Sequence, residues 1–278
     1  LSLLAILLFS LSKHPLQNEI TVVDIGQGDS IFLRDVRGRT IVIDTGGRVE
    51  IGKKEVWQER VRKSNAETTL IPYLKSRGVD RLDKLVLTHT DTDHMGDMLD
   101  LAKYFSIREI YVSKGSMTQS DFVGKLKKMK AKVHIVEVGD RLPIFDSALE
   151  VLYPFGQGDG GNDDSIVLYG EFFQTKFLFT GDLEAPGEGQ MVTAYPDLRI
   201  DVLKAGHHGS KGSSSPEFLE HIQPKLALIS AGKNNRYQHP HKETLARFEK
   251  NQTKIFRTDE QGAIRFKGWN SWQIETVR

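Results

Sequence analysis

Cysteine is absent from the 278 residues, which excludes disulfides and thiolate ligation and leaves metal chemistry to histidine and carboxylates. Neither charge is in excess: 38 basic and 37 acidic residues give a net charge of +1. A chain so balanced has no overall electrostatic footprint for nucleic acid, so binding of that kind must come from local patches. Long apolar runs are missing too. Leu1 to Leu11 is almost wholly apolar, but about twenty such residues are needed to span a bilayer. It lacks the preceding basic region and the following small-residue cleavage site of a signal peptide. With Leu rather than Met first, the run reads as the last turns of a truncated transmembrane helix, a buried first helix being the plainer alternative. Ser12 to Asn18 then reads as a linker, so residues 1–18 are set apart from a soluble part at 19–278. That part has no repeat, no low-complexity run and no internal linker, and its length suits one domain with a sizeable core.

What is present is concentrated between residues 85 and 98. Leu85-Val86-Leu87 reads as a buried strand, and the chain then switches abruptly to polar residues, with His89, Asp91, Asp93 and His94 lying within six positions. Open α/β sheets bind ligands beyond the carboxyl ends of their strands. Neutral imidazole and carboxylate are the ligands that borderline and hard divalent metals accept. A polar loop capping the next helix through Asp91 or Asp93 would need only one of these residues and explains neither histidine.

Strands are predicted at 20–24, 30–34 and 40–44, followed by a polar excursion from Val49 to Glu67 and a helix from Thr68 to Arg77. Strands and helices then alternate to the end of the chain, which implies two mixed sheets covered by outer helices. Further polar clusters follow apolar strands: Thr180-Gly181-Asp182, then Gly206-His207-His208-Gly209, then His239-Pro240-His241. The run Asn162-Asp163-Asp164-Ser165 precedes another strand and reads equally well as an ordinary Asx turn. Two metal ions need roughly six or seven ligands, and the chain presents that many at strand ends.

Asp44-Thr-Gly-Gly, the block from His89 to Gly96, Thr-Gly-Asp182 and Gly-His207-His208-Gly, in that order, resemble the motifs of the metallo-β-lactamase superfamily. Within it the chain is most similar to the ComEC competence proteins, through Val23-Asp24-Ile-Gly26-Gln27-Gly28-Asp29-Ser30 and Tyr237-x-His239-Pro240. The resemblance covers residues 19–278. It implies an αβ/βα sandwich and two divalent metal ions. By that resemblance Asp93, His94 and His207 bind one ion, His89 and Asp91 the other, and Asp182 bridges them, while Asp44 orients a ligand imidazole. Two departures matter. Asp91 stands where the family usually has a second histidine, and Asn162 to Ser165 replaces another. One position is therefore richer in oxygen ligands, which shifts preference from zinc toward manganese.

The implied activity is a metal-dependent phosphodiesterase, a nuclease degrading DNA during natural transformation, in which a metal-activated water attacks phosphorus in line. Asp93 belongs to the catalytic group, and His239 or His208 would supply the leaving-group proton. Ser210, Lys211, Lys233 and Arg236 are expected to hold the phosphates. The implied partners are DNA without sequence preference, the membrane through residues 1–18 and the DNA-uptake machinery, with this domain on the extracytoplasmic side of the cell membrane. Two alternatives stay open: a catalytically weak or inactive DNA-guiding or assembly domain, and a hydrolase of small esters.

Overall fold

The computed structural model describes residues 2–4, 15–48 and 63–277. Apart from residues 2–4, the apolar run at Leu1 to Leu11 falls outside them, as does most of the polar excursion from Val49 to Glu67. Among the described residues no helix is long and apolar enough to cross a membrane.

Among the described residues fifteen strands form two sheets. The first has eight strands, in the order β15 (Gln273–Val277), β14 (Ala263–Gly268), β1 (Asn18–Val22), β2 (Ile31–Arg34), β3 (Thr40–Ile43), β4 (Arg81–Leu87), β5 (Ser106–Val112) and β6 (Lys132–Ile135). The second has seven, in the order β13 (Lys254–Arg257), β12 (Leu226–Ile229), β11 (Val202–Lys204), β10 (Thr175–Phe179), β9 (Val167–Phe172), β8 (Ser147–Tyr153) and β7 (Arg141–Ile144). The β3 to β6 run is parallel, as is β10 to β13, and the remaining pairs are antiparallel. This is the expected α/β sandwich of two mixed sheets.

Alternation along single strands sorts side chains between layers. Ile41, Ile43, Val86, Phe177, Phe179, Val202 and Leu228 fill the space between the sheets. Their neighbours Val42, Leu85 and Leu87 turn outward under the helices Leu70–Ser76 and Met98–Tyr104. On the other side Leu178, Leu203 and Ile229 turn outward under Ala185–Ala194, Pro216–Ile222 and Lys242–Lys250. Two elements differ from expectation. Asn65–Thr68 is a helical turn, inside the stretch expected to be an excursion, because Ser64 and Glu67 close a capping box around it. Strand β7, which carries Pro143, was not among the expected strands. As the edge of its sheet, it tolerates a residue that cannot donate to a ladder.

Candidate metal centre

The carboxyl ends of β3, β4, β10, β11 and β12 meet at one rim of the sandwich. β3 ends in Asp44, whose backbone turns left-handed at φ 58°. Its carboxylate takes the Thr88 N–H at 2.8 Å, the Thr88 hydroxyl at 2.7 Å and His94 Nδ1 at 2.8 Å. β4 runs into His89, and the one-turn helix Thr92–Met95 follows, carrying a fully buried His94. Asp91 occupies the N-cap position of that turn but makes no side-chain capping bond, so capping does not account for it. The first turn of the chain lies directly against this block. A Cβ on Gly28, at φ 127°, would stand 2.2 Å from the Asp93 carbonyl oxygen, so only glycine fits there.

The second sheet supplies the other half. Asp182 follows Gly181 at the end of β10 and accepts no hydrogen bond at Oδ1, although His94 Nε2 lies 3.0 Å away. After β11 the chain passes Gly206 and sets both His207 and His208 left-handed, at φ 44° and 53°. Such geometry in a non-glycine residue is uncommon and collects at functional sites. Its effect is to aim two consecutive imidazoles in different directions. His208 is buried, with Nε2 3.3 Å from Asp93 Oδ2, 3.4 Å from Asp182 Oδ2 and 3.3 Å from His94 Nε2. His207 stands at the cavity mouth, 2.7 Å through Nδ1 from Glu184 and 3.8 Å through Nε2 from Asp182.

The three most deeply buried imidazoles are anchored alike. His94 Nδ1 meets Asp44, His208 Nδ1 meets the Ser230 carbonyl at 3.0 Å, and His89 Nδ1 meets the Thr88 hydroxyl at 3.1 Å. An oxygen partner at Nδ1 fixes the tautomer and ring orientation and leaves Nε2 as the free lone pair, as metal-ligating histidines require. Behind His208 stands a buried ion pair, Asp29 Oδ2 to Lys204 Nζ at 2.7 Å, with Asp29 Oδ1 3.4 Å from His208 Nδ1. Burial would raise the Asp29 carboxyl, but Lys204 and His208 outweigh it and hold it below the usual carboxylate range.

These residues fit a divalent cation. Among the described residues, ligand atoms of Asp29, His94, Asp182 and His208 lie within 4.8 Å of one another. His89 Nε2, Asp182 Oδ1 and Asp29 Oδ1 are buried without a hydrogen-bond partner. An unsatisfied buried polar atom costs about 1–3 kcal/mol, and a cation would satisfy His89 Nε2 together with the two carboxylate oxygens, which face only imidazole nitrogens. The charges agree. Burial opposes protonation of His94 and His208, yet Asp182 and the neighbouring carboxylates raise both, His208 to about 10. Asp182 is held well below the usual range, against burial, by His208 and His94. The cavity demands positive charge where two Nε2 atoms face each other, and a cation meets that demand better than two mutually repelling protons. Burial and His94 push His89 down, to the neutral form that binds metal.

The expected residues are not all where the sequence put them. Asp93, His94 and Asp182 converge, but the imidazole beside them belongs to His208, and His207 takes the outer position that was expected of its neighbour. His89 lies 3.9 Å from Asp91, whose side chain is 53% exposed. His239 lines the same cavity, of about 300 Å³, with Gln27, Tyr237 and His207. Burial and the nearby His208 and His207 push His239 down to about 4, which favours its neutral form near pH 7. Ser210 is buried, and its hydroxyl oxygen accepts the Gly212 N–H at 3.2 Å. Lys211 lies outside the two cavities at this rim, whereas Lys233 and Arg236 line the neighbouring one. Asn162 reaches His207 at 3.4 Å, Ser165 reaches His89 at 3.4 Å, and Asp164 turns to Ser113 at 2.6 Å. Sequence reasoning assigned no role to Asp29, Lys204, Glu184 or Ser230. A lysine at an inward position of an apolar strand was the available signal, because a buried lysine needs a counter-ion.

A family model described as the metallo-beta-lactamase superfamily matches residues 23–233. The chain is 40% identical over 258 residues to ComE operon protein 3 of Bacillus subtilis (strain 168), covering 90% of this chain and 33% of that protein. It is 32% identical over 249 residues to competence protein ComA of Neisseria gonorrhoeae, covering 89% of this chain and 32% of that one. The chain thus spans about a third of the length of these relatives. Among solved structures, the metallo-beta-lactamase fold protein YhfI from Bacillus subtilis superposes with a TM-score of 0.58 at 12% identity, covering 90% of this chain and 100% of that one. With two such sheets, a buried Asp and His cluster at their shared rim and a match over most of its length, the chain belongs to the metallo-beta-lactamase superfamily.

Proposed function

We propose that residues 19–278 form a metal-dependent phosphodiesterase domain that hydrolyses DNA within a membrane-tethered DNA-uptake protein. The observation that carries this reading is the common anchoring of His89, His94 and His208 through Nδ1, which turns three Nε2 atoms onto Asp182 and its neighbours. Bound divalent ions would supply a water acidified toward neutral pH and positive charge against a phosphoryl group. Asp93, His94, Asp182 and His208 hold one ion in this reading, and His89, Asp91 and Asp182 the other. Asp44 and Ser230 fix the imidazoles. His207, clamped by Glu184 with Nε2 turned toward Asp182, is placed to pass a proton to the leaving alkoxide. The cation-bearing loop after β12 favours a phosphate backbone over a small neutral ester. Similarity to proteins named for competence supports the DNA-uptake setting, with residues 1–18 leading from the membrane to a domain on its extracytoplasmic side.

The test is to strip the purified chain with chelator, reload it with manganese or zinc, and offer labelled DNA and p-nitrophenyl acetate separately. Nucleotide release that needs metal and disappears in Asp93→Ala is expected. Metal binding without hydrolysis of either substrate would make the chain a non-catalytic module, and hydrolysis of the acetate alone would make it an esterase.

A further inference from the structure

Beside the metal centre lies a second cavity of about 430 Å³, whose cations bear on the phosphodiesterase reading but whose aromatic and amide lining has no role in it. It shares Gln27, Asp93 and Tyr237 with the catalytic cavity, so the two are contiguous. Its volume falls in the roughly 300–1,000 Å³ range of small-ligand sites. Three cations line it, Arg48, Lys233 and Arg236, while Asp93, turned to the metal centre, is the single acid among its described lining residues. Tyr237 is 38% exposed, with the Arg236 guanidinium 4.5 Å from its ring centroid and the His239 imidazole stacked against it at 5.7 Å. Gln27 is fixed by accepting the Gly232 N–H through its side-chain oxygen at 3.2 Å, and its Nε2 is buried with no acceptor. Cations, an aromatic plane and an unspent amide donor in one pocket match the parts of a nucleotide. They match less well a neutral ester or a bare phosphate, neither of which uses the ring.

Resting on the phosphodiesterase reading, we propose that this cavity seats the nucleotide next to the scissile phosphate, its base unstacked against Tyr237 and its phosphate held by Arg48, Lys233 and Arg236. Aromatic rings bind bases of any sequence through their π-faces, and arginine planes assist. A base inside a duplex has both faces covered by its neighbours, so only an unpaired or frayed strand can fill the site. The substrate class follows: single strands and frayed ends, without sequence preference, enter in preference to blunt duplex.

The experiment measures binding first, so that it does not depend on turnover. Fluorescence anisotropy of the metal-loaded chain is followed with a labelled single-stranded oligonucleotide, the same strand carrying abasic sites, and a blunt duplex. The intact single strand is expected to bind more tightly than either of the others. Tyr237→Ala should weaken it roughly 5- to 100-fold, the range for one base stacked on an aromatic ring. The same change should alter the abasic strand less than about twofold, and Tyr237→Trp should keep the wild-type affinity. Equal losses for intact and abasic strands, or a duplex bound as tightly as the single strand, would overturn the proposal. Base-dependent binding with no cleavage of any DNA would leave the subsite standing and remove the phosphodiesterase reading instead.

Discussion

The two candidate metal positions differ in how much of each the fold builds. Around His208 the fold supplies Asp93, His94 and Asp182, with Asp44 and Ser230 behind the imidazoles and a buried Asp29–Lys204 pair behind those. Around His89 it supplies one anchored imidazole and an Asp91 half open to solvent. Preorganised ligands bind at lower cost than ligands that must be collected from mobile conformations. The comparison therefore predicts one position that fills readily and another that fills only with a hard ion present in excess.

The largest effect should come from exchanging neighbours. His208→Ala should abolish hydrolysis and weaken manganese binding by more than the roughly 10–100-fold typical of losing an outer partner, while His207→Ala should retain the ion and lose turnover alone. Calorimetric titration with manganese beside a nuclease assay reads both, and equal metal loss in the two variants would break the distinction drawn between these residues. Next comes Asp44→Asn, which keeps the shape but loses the carboxylate on His94 Nδ1, and should cost about 10–100-fold in metal affinity. A titration unchanged from wild type would make Asp44 a turn residue only.

A smaller effect concerns protons. The carboxylates that raise His94 and His208 stabilise the metal-free protein below the unfolded imidazole value of 6.5, and that contribution is lost as pH rises through the raised values, about 10 for His208. Metal must displace those protons, so the melting-temperature gain on adding manganese should grow from pH 6.5 upward. At free ion about a hundredfold above Kd the gain is about 2.7 kcal/mol, each kcal/mol being worth ~2–4 °C in a domain of this size. A gain that shrinks with rising pH would contradict the charge argument. The smallest effect is expected for Asp91→His, which adds an imidazole at the open position. Manganese should support more activity than zinc in the wild type, and this variant should narrow the difference. A ratio that does not move would mean that Asp91 touches no ion.

Much of the first sheet and its ligand block was legible, because an apolar run that stops at a His and Asp cluster announces both a strand and a site. The order of His207 and His208 was not. It depends on two left-handed residues, and no pattern of residue types reports backbone handedness there. Asp29 was visible within its motif, but its meaning rests on Lys204, 175 positions away and in the other sheet. Lys211 looked like a phosphate ligand from its glycine- and serine-rich surroundings, yet its backbone N–H bonds His241 at 3.2 Å and its side chain lies outside both cavities. Strand β7 went unread, and the Pro143 within it is tolerated because the strand lies at the edge of its sheet.

The bond from the Ser230 hydroxyl to the Gly28 carbonyl joins residues 202 positions apart, and His94 meets His208 across 114. Strand β14, near the end of the chain, pairs with β1 near its start. Contacts so distant in sequence form late, because loop-closure entropy is lost before they return any stabilisation. A chain still emerging from the ribosome, or clipped between the sheets, holds His89, Asp93 and His94 without Asp182 or His208. Its ligands are then too few to grip an ion, and its chemistry stays latent until the last strands are in place. The connectivity of the sandwich thereby ties completion of the candidate metal centre to completion of the fold.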